Sequence, residues 1–187
     1  MNILSEKEKM LAGELYNASD PQVAQEHKYA RMLCMRFNLL NPDQVQDRNA
    51  ILDDLLGKHG TNLTIQPPFN CDFGSNIYLG DSVYFNYNCI ILDVNKVIIG
   101  DRVLVGPNVQ FYSATHPIEW EIRSSGLELG KPIKIGSDVW IGGGAIILPG
   151  ITIGDKTVIG AGSVVTKDIP GKVVAAGNPC RIIKSIG

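Results

Sequence analysis

Of the chain's three histidines, only His116 lies beyond the first 60 residues. Imidazole is the side chain best poised to remove a proton near neutral pH. A hydroxyl, whose own pKa lies far above 7, needs such a base before it can attack an electrophile. His116 is followed by Pro117 and stands where an otherwise regular sequence breaks into a long loop. Working side chains ride on such loops when a rigid scaffold holds them. A lone histidine is more often structural, and it is this setting that makes His116 the candidate general base. Cys34, Cys71, Cys89 and Cys180 are scattered, with no Cys-x-x-Cys spacing. They read as buried free thiols, because free Cys packs like a small hydrophobe. Zinc would need clustered ligands, so no metal is expected.

The scaffold is legible as a beat of six. Ile135, Ile141, Ile147, Ile153, Ile159 and Val165 recur at that spacing, and Gly136, Gly142, Gly154 and Gly160 follow four of them. Val139, Ala145, Ile151, Thr157, Ser163 and Ile169 keep the same period four residues further on. An earlier run comprises Phe73, Leu79, Phe85 and Ile91, and after a two-residue slip the beat resumes at Ile99, Val105 and Phe111. Six fits neither a helix nor a half-buried strand. It is the period of a parallel β-helix, in which three hexads make one triangular coil. The bulky residue is expected inside, stacked on its counterpart eighteen residues away, with the following glycine at positive φ in a corner.

Residues 1–60 differ from the remainder, and 61–187 form the repeating domain. Ser5-Glu6-Lys7-Glu8 reads as a capping box opening a helix through about Leu15. Asp20-Pro21 starts a second helix with Val23, Ala24, Ala30, Leu33, Cys34 and Phe37 on one face. Asn41-Pro42 starts a third, carrying Val45, Ile51, Leu52, Leu55 and Leu56 and closed by Gly57. Helices this short must dock, and the open end of a β-helix needs cover. Between about 112 and 131 the hexad fails, leaving a polar, aperiodic extruded loop.

At 187 residues the chain suits one domain with an appendage. Seventeen basic against nineteen acidic side chains argue against nucleic-acid or polyanion binding. No apolar run suggests a leader or a membrane span, so a soluble, cytoplasmic protein is expected.

The helices, the hexads, the His-Pro loop and the tail Ala175-Ala176-Gly177-Asn178-Pro179-Cys180-Arg181 together resemble the maltose/galactoside O-acetyltransferases, with nodulation acetyltransferases as cousins. Met10-Leu11-Ala12-Gly13-Glu14-Leu15-Tyr16, Asn86-Tyr87-Asn88 and Val139-Trp140-Ile141-Gly142 are narrower signals than the hexads. The resemblance implies a mainly β fold, a left-handed parallel β-helix of hexapeptide repeats with an N-terminal α-helical segment. It further implies homotrimers with active sites between subunits, moving acetyl from acetyl-CoA to a sugar hydroxyl with His116 as general base. Asn86 and Asp72 match acceptor positions, and Tyr84 is placed to offer an aromatic or hydroxyl contact from the same wall, with core packing the alternative. His27 stands where an arginine reaches the acceptor in relatives, and Asn17 is the nearest polar residue to an early acidic position. Gly143 matches the thioester site where relatives carry Ser, leaving a backbone N–H as oxyanion donor. Ala161, Thr166 and Lys167 match further donor contacts, and Trp140 shapes the site. Arg181 and Lys184 match the basic tail that meets phosphates. Val94 stands where some members have a second acid after Asp93, so neither galactoside nor maltose specificity transfers directly.

Acetylation of an antibiotic or another small alcohol is the alternative activity, though that branch lacks the N-terminal helices. A zinc enzyme on this fold would need three coil histidines. A non-catalytic scaffold or ice-binding surface would call for flat Thr rows, and the outward positions here are mixed.

Overall fold

A computed structural model of the chain describes residues 3–187. Helix α1 (Glu6–Ala12) opens as its sequence predicts, with the Ser5 hydroxyl accepting from the Glu8 N–H and the Glu8 carboxylate accepting from Ser5 N–H. It ends before Leu15, because Gly13 at φ 77° turns left-handed and donates to the Lys9 and Met10 carbonyls. Helix α2 (Pro21–Leu39) is capped by the Asp20 carboxylate, which accepts from the N–H groups of Gln22 and Val23. It buries Val23, Ala30, Leu33, Cys34 and Phe37, whereas Ala24 is exposed. Helix α3 (Val45–Leu55) starts later than Asn41-Pro42 suggests, after a turn in which Gln44 N–H donates to the Asn41 carbonyl. Gly57 does not close it, since the cap is Leu56 in extended backbone. Gly57 lies instead against the first coil, where a Cβ would meet the Ser75 carbonyl oxygen at 2.2 Å.

From Thr64 the chain winds about six turns of a left-handed parallel β-helix. A first face stacks Ile77–Leu79, Val97–Ile99, Ile133–Ile135 and Thr152–Ile153. A second runs from Thr64–Ile65 through Tyr84–Phe85, Leu104–Val105, Trp140–Ile141 and Val158–Ile159 to Val173–Ala176. A third stacks Phe69–Cys71, Cys89–Leu92, Gln110–Tyr112, Ile146–Ile147 and Val164–Val165. The bulky hexad residues line the interior, and Phe85, Ile91, Phe111, Ile141, Ile147, Ile153, Ile159 and Val165 have no exposed surface. In the later coils the stacking interval is eighteen, as in Ile141 on Ile159. In the earlier coils it is twenty, as in Phe85 on Val105 and Ile91 on Phe111.

Every extra residue falls at one corner, where the third face passes to the first. Cys71 to Leu79 and Ile91 to Ile99 are each two residues longer than Ile147 to Ile153. In the next coil the same corner extrudes the long loop, so that Phe111 stacks on Ile147. Phe73 is therefore not an interior residue. Cys71 takes the inward place, stacked on Ile91, and Phe73 packs outside the prism with Met10, Tyr16, Val23 and Val94.

The glycines after the bulky residues serve spacing rather than positive φ. At Gly136, Gly142 and Gly154 a Cβ would lie 2.2–2.5 Å from atoms of the next coil, so only glycine lets the coils stack. Left-handed backbone at the corners falls instead to Ser82, Asn88, Arg102, Asn108, Asp138, Lys156 and Lys172, and to other glycines such as Gly144 and Gly162.

Both ends are closed. At the first coil, Phe37, Leu52 and Leu55 join the cluster of Phe69 and Ile77. The Asn38 amide also stands in for a neighbouring strand, donating to the Phe69 carbonyl at 2.9 Å and accepting from the Phe69 N–H at 2.8 Å. A free strand edge is thereby capped. At the last coil, Arg181–Ser185 runs antiparallel to Val173–Ala176. Among the described residues, no helix is long and apolar enough to cross a membrane.

Candidate active site

The lengthened corner holds most of the molecule's buried polar side chains: Asn76, Asp93, Asn95 and Ser113. They replace the strand ladder that the insertions break. The Asp93 carboxylate, with no exposed surface, accepts from the N–H groups of Asp72 (3.0 Å), Phe73 (2.9 Å) and Asn76 (3.3 Å). Burial pushes its pKa up to about 7, against the pull of the Phe73 N–H. Asn95 ties the corner to the N-terminal segment, donating to the carbonyls of Met10, Leu11 and Gly130. Ser113 donates to the Leu92 carbonyl at 2.7 Å and accepts from the Asn95 N–H at 2.8 Å. Lys131 N–H donates to the Ser113 carbonyl, which closes the base of the loop.

The loop is less irregular than its sequence suggests. Ala114–Thr115 pairs antiparallel with Leu127–Gly130, and a short helix α4 (Trp120–Ser124) forms the tip. Tyr16–Asn17 adds a third strand on the other side of Leu127–Gly130. The first helical segment and the loop thus form one small sheet, and His116 follows its strand Ala114–Thr115 directly.

Between this sheet and the coil corner lies a cavity of about 270 Å³. His116, Asp72, His27, Tyr16 and Glu128 supply its polar lining, and Val94 and Phe73 are among its apolar walls. His27 Nε2 stands 3.4 Å from Asp72 Oδ1, with its ring 5.6 Å from that of Phe73. Burial raises the Asp72 pKa above the ordinary carboxylate range, partly offset by His27. The Tyr16 hydroxyl donates to Glu128 Oε2 at 2.9 Å. Burial first, then the Glu128 charge, pushes the Tyr16 phenol far above its ordinary range. A larger cleft of about 740 Å³ lies on the other side of His27 and Asp72, between α2 and the third face. Asn17 is not in the lining. It follows the inward Tyr16 on a strand, so it faces the exposed side, and Oδ1 accepts from the Ser19 N–H.

The other expected residues lie elsewhere on the chain. Asn86 and Tyr84 sit where the second face passes to the third, and Gly143 and Ala161 occupy the same corner in later coils. There the Gly143 and Ala161 N–H groups make no hydrogen bond within the described residues. Gly144 N–H is engaged by the Pro107 carbonyl, and Gly143's own carbonyl accepts from Gly162. The middle glycine is thus the one with a free donor. Trp140 is 56% exposed and stands in an outward ladder with Tyr84, Leu104 and Val158. Thr166 and Lys167 lie at the opposite end of the strand Val164–Val165 from Ala161, while Arg181 and Lys184 are exposed on the closing strand. Within one chain, His116 and Asp72 are at one corner and Gly143 and Asn86 at another.

Tyr16 and Glu128 line the cavity and Asp93 and Asn95 hold its corner, though none of the four is an expected site residue. The alternation Leu127-Glu128-Leu129 was a usable strand signal for Glu128. The other three act through contacts with residues distant in sequence. Among the described residues, no group of three or more His, Cys, Asp or Glu side chains could hold a metal ion.

A stacked-hexad β-helix with an extruded histidine loop and a helical cap defines the class of hexapeptide-repeat acyltransferases. The sequence bears this out in two places. Residues 9–60 match the maltose acetyltransferase hexapeptide capping motif, and 132–167 match the bacterial transferase hexapeptide family. The chain is 42% identical to the galactoside O-acetyltransferase of Escherichia coli K12, covering 96% of this chain and 88% of that one. It superposes on the crystal structure of a maltose O-acetyltransferase from Clostridium difficile 630 with a TM-score of 0.98, at 52% identity over the full length of both. A hexapeptide-repeat acetyltransferase of Vibrio cholerae O1 biovar eltor, crystallised with acetyl coenzyme A, superposes with a TM-score of 0.92 at 38% identity, covering 98% and 100%. The chain belongs to the maltose/galactoside O-acetyltransferase family of acetyltransferases.

Proposed function

We propose that the protein transfers acetyl from acetyl-CoA to a hydroxyl of a small sugar by direct attack, with His116 as general base. The observation that carries this reading is the cavity at the lengthened corner, where His116 shares a wall with Asp72 and Glu128. Carboxylates accept hydrogen bonds from sugar hydroxyls and so can orient one toward the imidazole. Neutral imidazole takes the hydroxyl proton as the oxygen bonds to the thioester carbonyl carbon. The oxyanion is held by the free N–H of Gly143. The C–S bond then breaks, and the departing thiolate receives the proton from the imidazolium. Val94, where some relatives carry an acid, gives this cavity an apolar wall.

The reading requires more than one chain, because the Gly143 corner and the His116 corner lie at opposite ends of the third face. A homotrimer with sites between subunits would bring them together, and closed rotational symmetry serves this naturally. The exposed ladder of Leu104 and Trp140 is an apolar strip that such an interface would cover. Exposed residues Lys167, Arg181 and Lys184 suit the nucleotide phosphates, and Asn86 and Tyr84 would reach the acceptor from the neighbouring protomer.

The decisive experiment is His116→Ala, assayed by thiol release with sugar acceptors and sedimented alongside the parent. The expected result is a trimer whose kcat falls by on the order of 10²–10⁴ with acetyl-CoA affinity retained. A folded His116→Ala trimer within a few-fold of the parent, or a fully active parent monomer, would end this mechanism.

A further inference from the structure

The cavity beside His116 carries an imbalance of charge. Its lining includes two carboxylates, Asp72 and Glu128, and neither Lys nor Arg. Asp72 is answered by His27 at 3.4 Å and at longer range by Arg31. Glu128 has no cationic partner among the described residues. Its one hydrogen bond comes from the Tyr16 hydroxyl, a neutral donor that orients the carboxylate without cancelling its charge. Tyr16 is itself 1% exposed and paired in register with Glu128 across two strands, so the carboxylate is held at a set place in the wall. The Glu128 charge is felt across the cavity by Asp72 and by Tyr16. His116 cannot relieve the excess, since as a base it must be neutral.

We propose that Glu128, with Asp72, makes the acceptor pocket selective for small polyhydroxy ligands carrying a cationic amine, the amino-sugar class. This rests on the acetyl-transfer reading of the same site and names its substrate class. A neutral sugar hydroxyl would satisfy a lone pair of Glu128 and leave its charge unpaired. An ammonium group makes charge-assisted hydrogen bonds, roughly twice as strong, and removes the repulsion between the two acids. The cavity's volume of about 270 Å³ suits one small ring. Glu128 is the specificity-determining residue because Asp72 has both the His27 ring at 3.4 Å and the Arg31 charge at longer range, whereas Glu128 has only a neutral hydroxyl donor. The same arrangement repels acceptors that bear a phosphate or carboxylate, which gives selectivity by exclusion as well as by attraction.

Binding can be read apart from turnover by titrating glucosamine and glucose into the protein saturated with CoA, which lacks the acetyl group. The parent is expected to bind glucosamine about ten-fold or more tighter than glucose, as a charge-assisted contact implies. In Glu128→Gln, which keeps size and the Tyr16 contact, glucosamine affinity should fall more than glucose affinity, bringing the preference to near parity. Tyr16→Phe removes the orienting donor and keeps the charge, so the preference should survive there. Equal affinity in the parent, or an undiminished preference in Glu128→Gln, would overturn the proposal. Parallel turnover assays with acetyl-CoA separate the two readings. A glucosamine preference in binding without acetyl transfer to either sugar would sink the transferase reading and leave this one standing. Equal affinity and equal transfer to both sugars would do the reverse.

Discussion

Two corners of the same β-helix present opposite kinds of chemistry. Where the second face turns into the third, the coils are regular, and Gly142, Gly143 and Gly144 leave little but backbone to offer a ligand. Where the third face turns into the first, each early coil is longer than the repeat allows. The extra residues cannot follow the ladder, so Asp93, Asn95, Asn76 and Ser113 satisfy their backbone groups from inside. A repeat that is kept supplies aligned N–H groups. A repeat that is broken supplies side chains, because only there can the chain leave the prism and return. The candidate base, its neighbouring acids and the third strand from Tyr16 all belong to the broken corner.

The comparison is broken most severely at Gly142. Its Cβ would fall 2.5 Å from the Ala161 nitrogen, a backbone atom that cannot step aside. Gly142→Ala should therefore destabilise by about 3 kcal/mol, the upper end for overpacking, read as a lowered denaturation midpoint. Gly143→Ala meets Pro107 only at 3.1–3.3 Å and should cost much less. Equal losses at the two glycines would mean that coil spacing is not what Gly142 protects.

A second expectation sharpens the polar half of the comparison. Asp93 titrates near 7 in the folded chain, because burial outweighs its three N–H donors. An unfolded Asp titrates at about 3.9. Between those values the folded protein keeps a proton that the unfolded chain has released, so stability should fall as pH rises from about 4 to about 7 and then level off. Asp93→Asn should remove that slope, at a cost of its own, since its amide nitrogen would face an N–H donor. Denaturant unfolding across the window would check it. Stability that rises with pH through this range would show that the N–H donors win over burial.

The smallest effect is expected at the exposed cations. Neutralising Lys167, Arg181 or Lys184 singly should raise the KM for acetyl-CoA a few-fold and leave the acceptor KM nearly unchanged. Added salt should shrink the difference, since exposed charges are screened beyond about 8 Å at physiological ionic strength. A salt-independent rise would speak for packing rather than charge.

The sequence by itself determined the architecture, because a β-helix writes its period into every coil. Ile141 must face inward wherever its coil sits, and Ser5 and Asp20 cap their helices through bonds within a few residues. The family could also be read, since its markers are short and contiguous. What the sequence could not determine depends on which residues lie one coil apart. Phe73 keeps the beat, yet a corner two residues longer ejects it from the prism and seats Cys71 in its place. Gly142 looked like a turn glycine, and its reason is an atom of Ala161. Tyr16 and Glu128 are separated by 112 positions and meet only because an N-terminal strand adds to the edge of the extruded loop. Tertiary structure alone decided that pairing, since nothing local in either segment specifies a partner so distant along the chain.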